Sequence, residues 1–563
     1  MRQDGAVPND TSLTPRQVAD AHVETLADLN PIVGTQLGIR PGVDALPDFG
    51  PEGLEAIAAA ERSTLADLDA AEKAPDLAPT ERRAARLLRE RLTTSLALHD
   101  SGEYLRQVNN LFSPVQALRL VFLQMPTAAP QDWDVIGRRL RRVPEAAGSY
   151  RAALEAGVGQ GLHAAPRQVE TVVGQIDAWL DADWFVSFVA DGPADRRDEL
   201  TAAAREAGRG FAELRQYLVT SYLPAVADTP DAVGRERYAL AARRWTGSAL
   251  DLEDAYAYGW EEYRRLSEEM RVAAEAVRPG HTPSAVMGYL DEHGAAIDGV
   301  EEVRDWLQRL MDEAMADLDG THFDLADRVK TVEARIAPPG GAAAPYYSRP
   351  SLDFTRPGRT WLPTLGAERF PTWNLVSTWY HEGVPGHHLQ LAQWAHLADQ
   401  LSRYQVSIGS VSANTEGWAL YAERLMDELG YLTDPARRLG YLDAQMMRAI
   451  RVIIDIGMHL KLRIPRTEHF HPGEVWSPEL AREFFAAHSG RDQAFIDSEL
   501  VRYLGAPGQA ISYKLGERAW LAGREAARAA QGDAFDLKAW HMAALSLGSL
   551  GLDDLSDELA RLP

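Results

Sequence analysis

Residues 374–394 read NLVSTWYHEGVPGHHLQLAQW. An apolar run with helical spacing leads into His381-Glu382. Pro385-Gly386 and His387-His388 follow, and a second apolar helical run continues the chain. From His381 to His388 only Val384 is neither polar, proline nor glycine. A buried helix does not carry such a concentration of polar groups without giving them a task, because unpaired polar groups are costly to take out of water. A neutral imidazole nitrogen is a zinc ligand. A glutamate next to it points in another direction, where it serves as general base toward the water that attacks a carbonyl.

The spacing departs from the common His-Glu-x-x-His form, in which the second histidine lies four residues on, about 6 Å along one helix face. Here the fourth residue after His381 is Pro385, and the histidines stand six and seven residues on. On a straight helix the sixth residue is about 120° off the face, and the seventh returns to it about 10.5 Å further along. Proline breaks the hydrogen-bond ladder and Gly386 permits unusual dihedrals. Looping out Val384 and Pro385 as a bulge leaves His-Glu-Gly-Gly-His. That spacing makes His387 the expected second ligand and His388 the alternative. A catalytic zinc takes three protein ligands and keeps one position open. Glu416, in SANTEGWALYAERL, is the expected third, with Ser412, Asn414 or Thr415 capping the helix so that Glu416 lies in its first turn. Glu423, two turns on, is the fallback.

The rest of the chain reads as mainly α. Thr14-Pro15 and Ser477-Pro478 are helix starts, and Gly490 marks a helix stop. Amphipathic helical patterns cover 83–98, 250–277 and 301–318, the Ala-rich stretch 195–212 is also helical, and 437–461 is a long helix rich in Met, Ile and Val. Residues 337–371 are dense in Pro, Gly and aromatics. They predict loops with short strands at 351–354 and 360–363, a small β element beside the active-site helix. Two helical lobes are expected, 1–335 and 336–563, the second carrying the metal site.

The chain has 563 residues and no cysteine. No disulfide or thiolate ligand is available, so any metal is held by His, Asp or Glu. The net charge of −24 opposes nucleic acid and anionic membranes as partners. The basic run 138–142 reads as a solvated helix face. The N-terminal MRQDGAVPNDTSLTPRQ shows no apolar signal core, and no run of about 18 apolar residues spans a membrane. A cytoplasmic protein is expected.

The segments WYHEGVPGHHLQ, TEGWALYAERL, RAIRVIIDIGMH and PGQAISYKLG occur in this order over roughly residues 345–525. In them the chain resembles a family of bacterial proteins catalogued as a domain of unknown function, DUF885. The resemblance implies a fold similar to helical zinc carboxypeptidases and oligopeptidases, a two-lobed shell around a deep cleft. It implies zinc held by His381, His387 and Glu416, with Glu382 as base, and hydrolysis of peptide bonds in short peptides.

Further residues have candidate roles. Tyr513, four residues after Gln509 and behind a Pro507-Gly508 helix start, is the expected donor to the oxyanion of a tetrahedral intermediate. Arg448, Arg451, Asp455 and His459 share one stripe. Asp455 either orients a ligating histidine or pairs with Arg451, and His459 either reaches substrate or is a core histidine. Arg349, Arg356 and Arg359 are candidates for reading a substrate carboxylate. Two other classes compete. A di-iron bundle needs a Glu-x-x-His on each of two helices, whereas only Glu468 and His471 show that spacing, between prolines. A non-catalytic peptide-binding scaffold with a vestigial site needs neither Glu382 nor Glu416.

Overall fold

Proline and a capping side chain open many of the helices. Thr14 Oγ1 accepts the Gln17 N–H, and the Gln17 side chain accepts the Thr14 N–H in return. Ser477 Oγ accepts the Leu480 N–H, and Asp434 accepts the Arg437 N–H. Each such cap satisfies donors that the helix leaves unpaired and contributes about 1 kcal/mol. The computed structural model describes residues 13–338 and 344–562, and it is mainly helical. The expected helices occupy Pro79–Asp100, Arg197–Tyr217, Leu252–Val277, Val300–Leu318 and Pro435–Leu460. The helix begun at Pro478 ends at His488, just before Gly490.

Two apolar cores organise these helices. The smaller draws on residues 32–226, among them Phe122, Tyr150 and Phe211. The larger draws on residues 18–559, on both sides of position 335, among them Leu88, Trp260, Ile453 and Trp520. The helix Pro435–Leu460 lies inside the larger core, with every residue from Leu439 to His459 buried. Its Met, Ile, Val and Leu side chains suit an interior, its buried polar stripe needs partners there, and the helix packs along Leu252–Val277. No helix among the described residues is long and apolar enough to cross a membrane.

The β structure is small. Val332–Ile336 runs parallel to Gly358–Leu362, which pairs antiparallel with Tyr346–Ser348 in the register Tyr347↔Thr360. Ala296–Asp298 pairs with Arg369–Pro371. The strand expected at 360–363 is therefore the end of Gly358–Leu362. The one expected at 351–354 is a turn instead, because the Ser351 and Asp353 side chains hydrogen-bond the backbone of Arg356 and Thr355. Part of the Pro/Gly-rich stretch, 339–343, and the N-terminal residues 1–12 lie outside the described residues.

Candidate metal centre

The helix carrying His381 spans Leu375–Glu382, and a new helix starts at His387. The bulge expected within one helix is thus a full break, and the two histidines sit on different helices. Pro385 has no N–H to continue the ladder. The Gly386 N–H donates to the Tyr380 carbonyl at 2.9 Å. A Cβ on Gly386 would collide with the carbonyl oxygens of Tyr380 and His381, so only glycine lets the chain double back here. The Trp418 indole N–H donates to the carbonyls of Pro385 and Gly386, each at 3.0 Å. This ties the break to the helix Ser412–Glu428, which carries Glu416. Val411 occupies the cap position, so Glu416 lies in the second turn and not in the first.

The break brings three expected ligands together. Glu416 Oε2 lies 3.3 Å from His381 Nε2 and 3.5 Å from His387 Nε2. Donors about 2.0–2.1 Å from one zinc ion in a tetrahedron are separated by about 3.3–3.4 Å, so these spacings fit a shared ion. Glu416 Oε2 and His387 Nδ1 are buried and make no hydrogen bond among the described residues. A ligand oxygen left free of hydrogen bonds agrees with a metal-binding role. Glu382 is half-buried and presents an oxygen within 4.8 Å of both imidazoles.

The remaining contacts assign different tasks to the neighbours. His381 Nδ1–H donates to Glu423 Oε1 at 2.8 Å, and Ser377 Oγ–H donates to Glu423 Oε2 at 2.6 Å. Glu423 therefore stands behind His381 and not beside Glu416. The imidazole spans two carboxylates set two turns apart on one helix face. A carboxylate behind a ligating histidine fixes its tautomer and orientation. His388 is occupied elsewhere. Its Nε2–H donates to the Val329 carbonyl at 2.7 Å, and its Nδ1 accepts the Tyr347 hydroxyl at 2.9 Å. With both nitrogens engaged and its side chain buried, it serves the sheet and not the site.

The electrostatics follow from burial and proximity. Burial opposes a charge on His381, yet its contacts with Glu416 and Glu423 carry it up to about 9. Burial pushes the Glu382 carboxyl up, against the pull of His381 and His387. Burial also pushes Glu416 up, but His387 and His381 outweigh it and hold the carboxyl well below the usual range. Burial pulls His388 down to about 4, against its hydrogen bond to the Val329 carbonyl.

Tyr513 joins the site from another helix, Ser512–Gln531. Its ring stacks on that of His381 with centroids 6.4 Å apart, and its hydroxyl makes no hydrogen bond among the described residues. The crossing of Gly417 and Gly516 makes this placement possible: a Cβ on either would strike the other helix's backbone, so the two helices approach closely. The helix starts at Ser512 and not at Pro507-Gly508; Gln509 lies in the turn before it and pairs with Arg502.

Other expectations need correction. Asp455 neither orients a ligand nor pairs with Arg451. It accepts the Tyr238 hydroxyl at 2.6 Å and the Gly508 N–H at 2.9 Å. Arg451 is held instead by Glu499 at 2.7 Å and the Tyr503 hydroxyl at 2.8 Å. His459 is a core histidine between the Tyr503 carbonyl and the Val233 N–H. Arg349 and Arg356 hold loop carbonyls, and Arg359 pairs with Glu333. Arg139 is buried against Thr35 and Val43, so the basic run 138–142 is not wholly solvated. Glu468 pairs with Arg264, and His471 with Glu474 and Glu483. Sequence reasoning missed Ser377 and the true role of Glu423. Their spacing, four residues before His381 and seven after Glu416, is the signal that points to them.

The family DUF885, described as a bacterial protein of unknown function, matches residues 31–559. The likeness thus extends well beyond the motif-bearing region. No curated protein matches the chain. The fold is similar to a crystal structure described as a "putative lipoprotein" from Colwellia psychrerythraea, with TM-score 0.83 and 22% identity over 97% of this chain and 98% of that one. It is also similar to a "putative lipoprotein of unknown function" from Shewanella oneidensis, with TM-score 0.75 and 17% identity over 97% and 99% of the two chains.

Proposed function

The chain belongs to the DUF885 family, and we propose that it is a zinc-dependent peptidase that hydrolyses short peptides. The observation that carries this reading is the spacing of Glu416 Oε2 from the two imidazole Nε2 atoms, 3.3 and 3.5 Å, with Glu423 behind His381. Likeness to helical zinc carboxypeptidases is part of the same proposal.

His381, His387 and Glu416 would hold the ion. Zinc in such a site supplies Lewis acidity, which polarises a carbonyl and makes water nucleophilic at neutral pH. Glu382 takes the proton from the attacking water and passes it to the leaving amine. Its burial, which raises its proton affinity, suits both transfers. Tyr513 donates its free hydroxyl to the oxygen that gains negative charge in the transition state. Glu423 and Ser377 keep the His381 ring oriented. The donors are recessed, with His381 3%, His387 11% and Glu416 20% exposed in their side chains. Recessed chemistry favours short, flexible peptides over folded proteins. We assign the protein to the cytoplasm, which the absence of cysteine fits.

The test is metal content of the purified protein and of three variants. About one zinc per chain is expected for wild type and for His388→Ala, and none for His387→Ala or Glu416→Ala. A wild type that takes up no zinc when supplied with it would overturn the reading.

A further inference from the structure

Arg448 stands on the helix Pro435–Leu460, is 7% exposed, and makes no hydrogen bond to a carboxylate. Its Nη1–H donates to the Ala444 carbonyl one turn earlier at 3.0 Å. Its Nη2 comes no closer than 3.8 Å to Glu423, whose two oxygens are taken by His381 and Ser377. Its Nε is buried and makes no hydrogen bond among the described residues. A buried guanidinium with unmade bonds is costly unless an anion completes it.

The neighbours sharpen the point. The Arg448 and Arg451 guanidinium carbons lie 6.0 and 4.9 Å from the centre of the Tyr513 ring, which stacks on His381. Arg451 and Arg502 share one carboxylate, Glu499. With a divalent ion bound, its charge and the three arginines outnumber Glu382, Glu416, Glu423 and Glu499 by one positive charge. Arg448 is the cation whose donors remain open, and it faces the tyrosine that flanks the metal ligands.

We propose that Arg448, backed by Arg451, binds a carboxylate of the substrate, so that the site selects peptides carrying a negative charge beside the cleaved bond. This rests on the peptidase reading. The carboxylate is either the peptide's free C-terminus, which makes the enzyme an exopeptidase, or an acidic side chain. Both present the planar pair of oxygens that a guanidinium fork matches.

The test uses full-length zinc-loaded protein carrying Glu382→Gln, so that binding is read without turnover. Calorimetry compares acetyl-trialanine, its C-terminal amide, and the amide of acetyl-Ala-Asp-Ala. At least one carboxylate-bearing peptide is expected to bind about 30-fold or more tightly than the trialanine amide. Preference for the free acid identifies the C-terminus, and preference for the aspartyl amide identifies a side chain. Adding Arg448→Gln should reduce that peptide to the affinity of the uncharged amide while zinc content stays at one per chain. Arg448→Lys should recover part of the difference. Equal binding of all three peptides, or binding of none, would overturn the proposal whether or not the Arg448 variants fold. Carboxylate preference in a protein whose wild type cleaves no peptide would sink the hydrolase reading and keep only the carboxylate contact at Arg448. Equal cleavage of acid and amide would do the reverse.

Discussion

The two cores treat buried charge differently. Beside the smaller core, Arg139 donates to Thr35 and the Val43 carbonyl and Arg119 lies over the rings of Trp179 and Trp184, and the Nε of each is buried without a partner. In the larger core, the Lys514 ammonium is closed by Glu517, Glu262 and Gln445. Around His381 the open atoms converge: Glu416 Oε2 lies 3.3 and 3.5 Å from the imidazoles of His381 and His387, and it, His387 Nδ1 and Arg448 Nε lack hydrogen-bond partners. Buried charge by itself therefore says little about function, since closed networks are compatible with a purely structural role. What marks a site is polar groups that converge without satisfying one another.

The strongest way to break this contrast is to remove the proposed base. Glu382→Gln should lower kcat by about 10²–10⁴-fold and leave zinc content at one per chain, because it touches proton transfer and not ligation. Unchanged turnover of a cleaved peptide would remove Glu382 from the chemistry. Next, Tyr513→Phe should reduce kcat by about 10²–10³-fold with little change in KM, as expected of a donor used mainly in the transition state. A rise in KM alone would make it a binding group.

Glu423→Gln probes the support behind His381. It keeps the shape but weakens the acceptor, and should lower zinc affinity by about 10–100-fold in a competition titration with a chelator. An unchanged affinity would reduce Glu423 to packing. The smallest effect is expected in the other core. Phe211→Leu should cost about 1–1.5 kcal/mol in denaturant unfolding and leave zinc stoichiometry alone. Loss of zinc there would show that the two cores are coupled and the contrast is false.

Much of this was legible in the residues. Helix patterns and their proline starts are local, and so were read within a few positions of their ends. His381, Glu382, His387 and Glu416 stood out as candidates because polar groups clustered at an interrupted helix need partners in a core. The strand at 351–354 was misread because side chains of Ser351 and Asp353 close a turn, which competes with strand formation over so short a run.

The sequence by itself determined that the chain is helical, that the hydrogen-bond ladder of the motif helix is interrupted at Pro385-Gly386, and which residue types can hold a metal without cysteine. Spacing favoured His387 over His388, and tertiary structure decided between them. The two are adjacent and chemically identical, and only distant groups, Val329 and Tyr347 on one side and Glu416 on the other, give them different partners. The same holds for Glu423 and Arg448. Their roles depend on where separate helices cross, and side-chain periodicity carries no information about which faces meet.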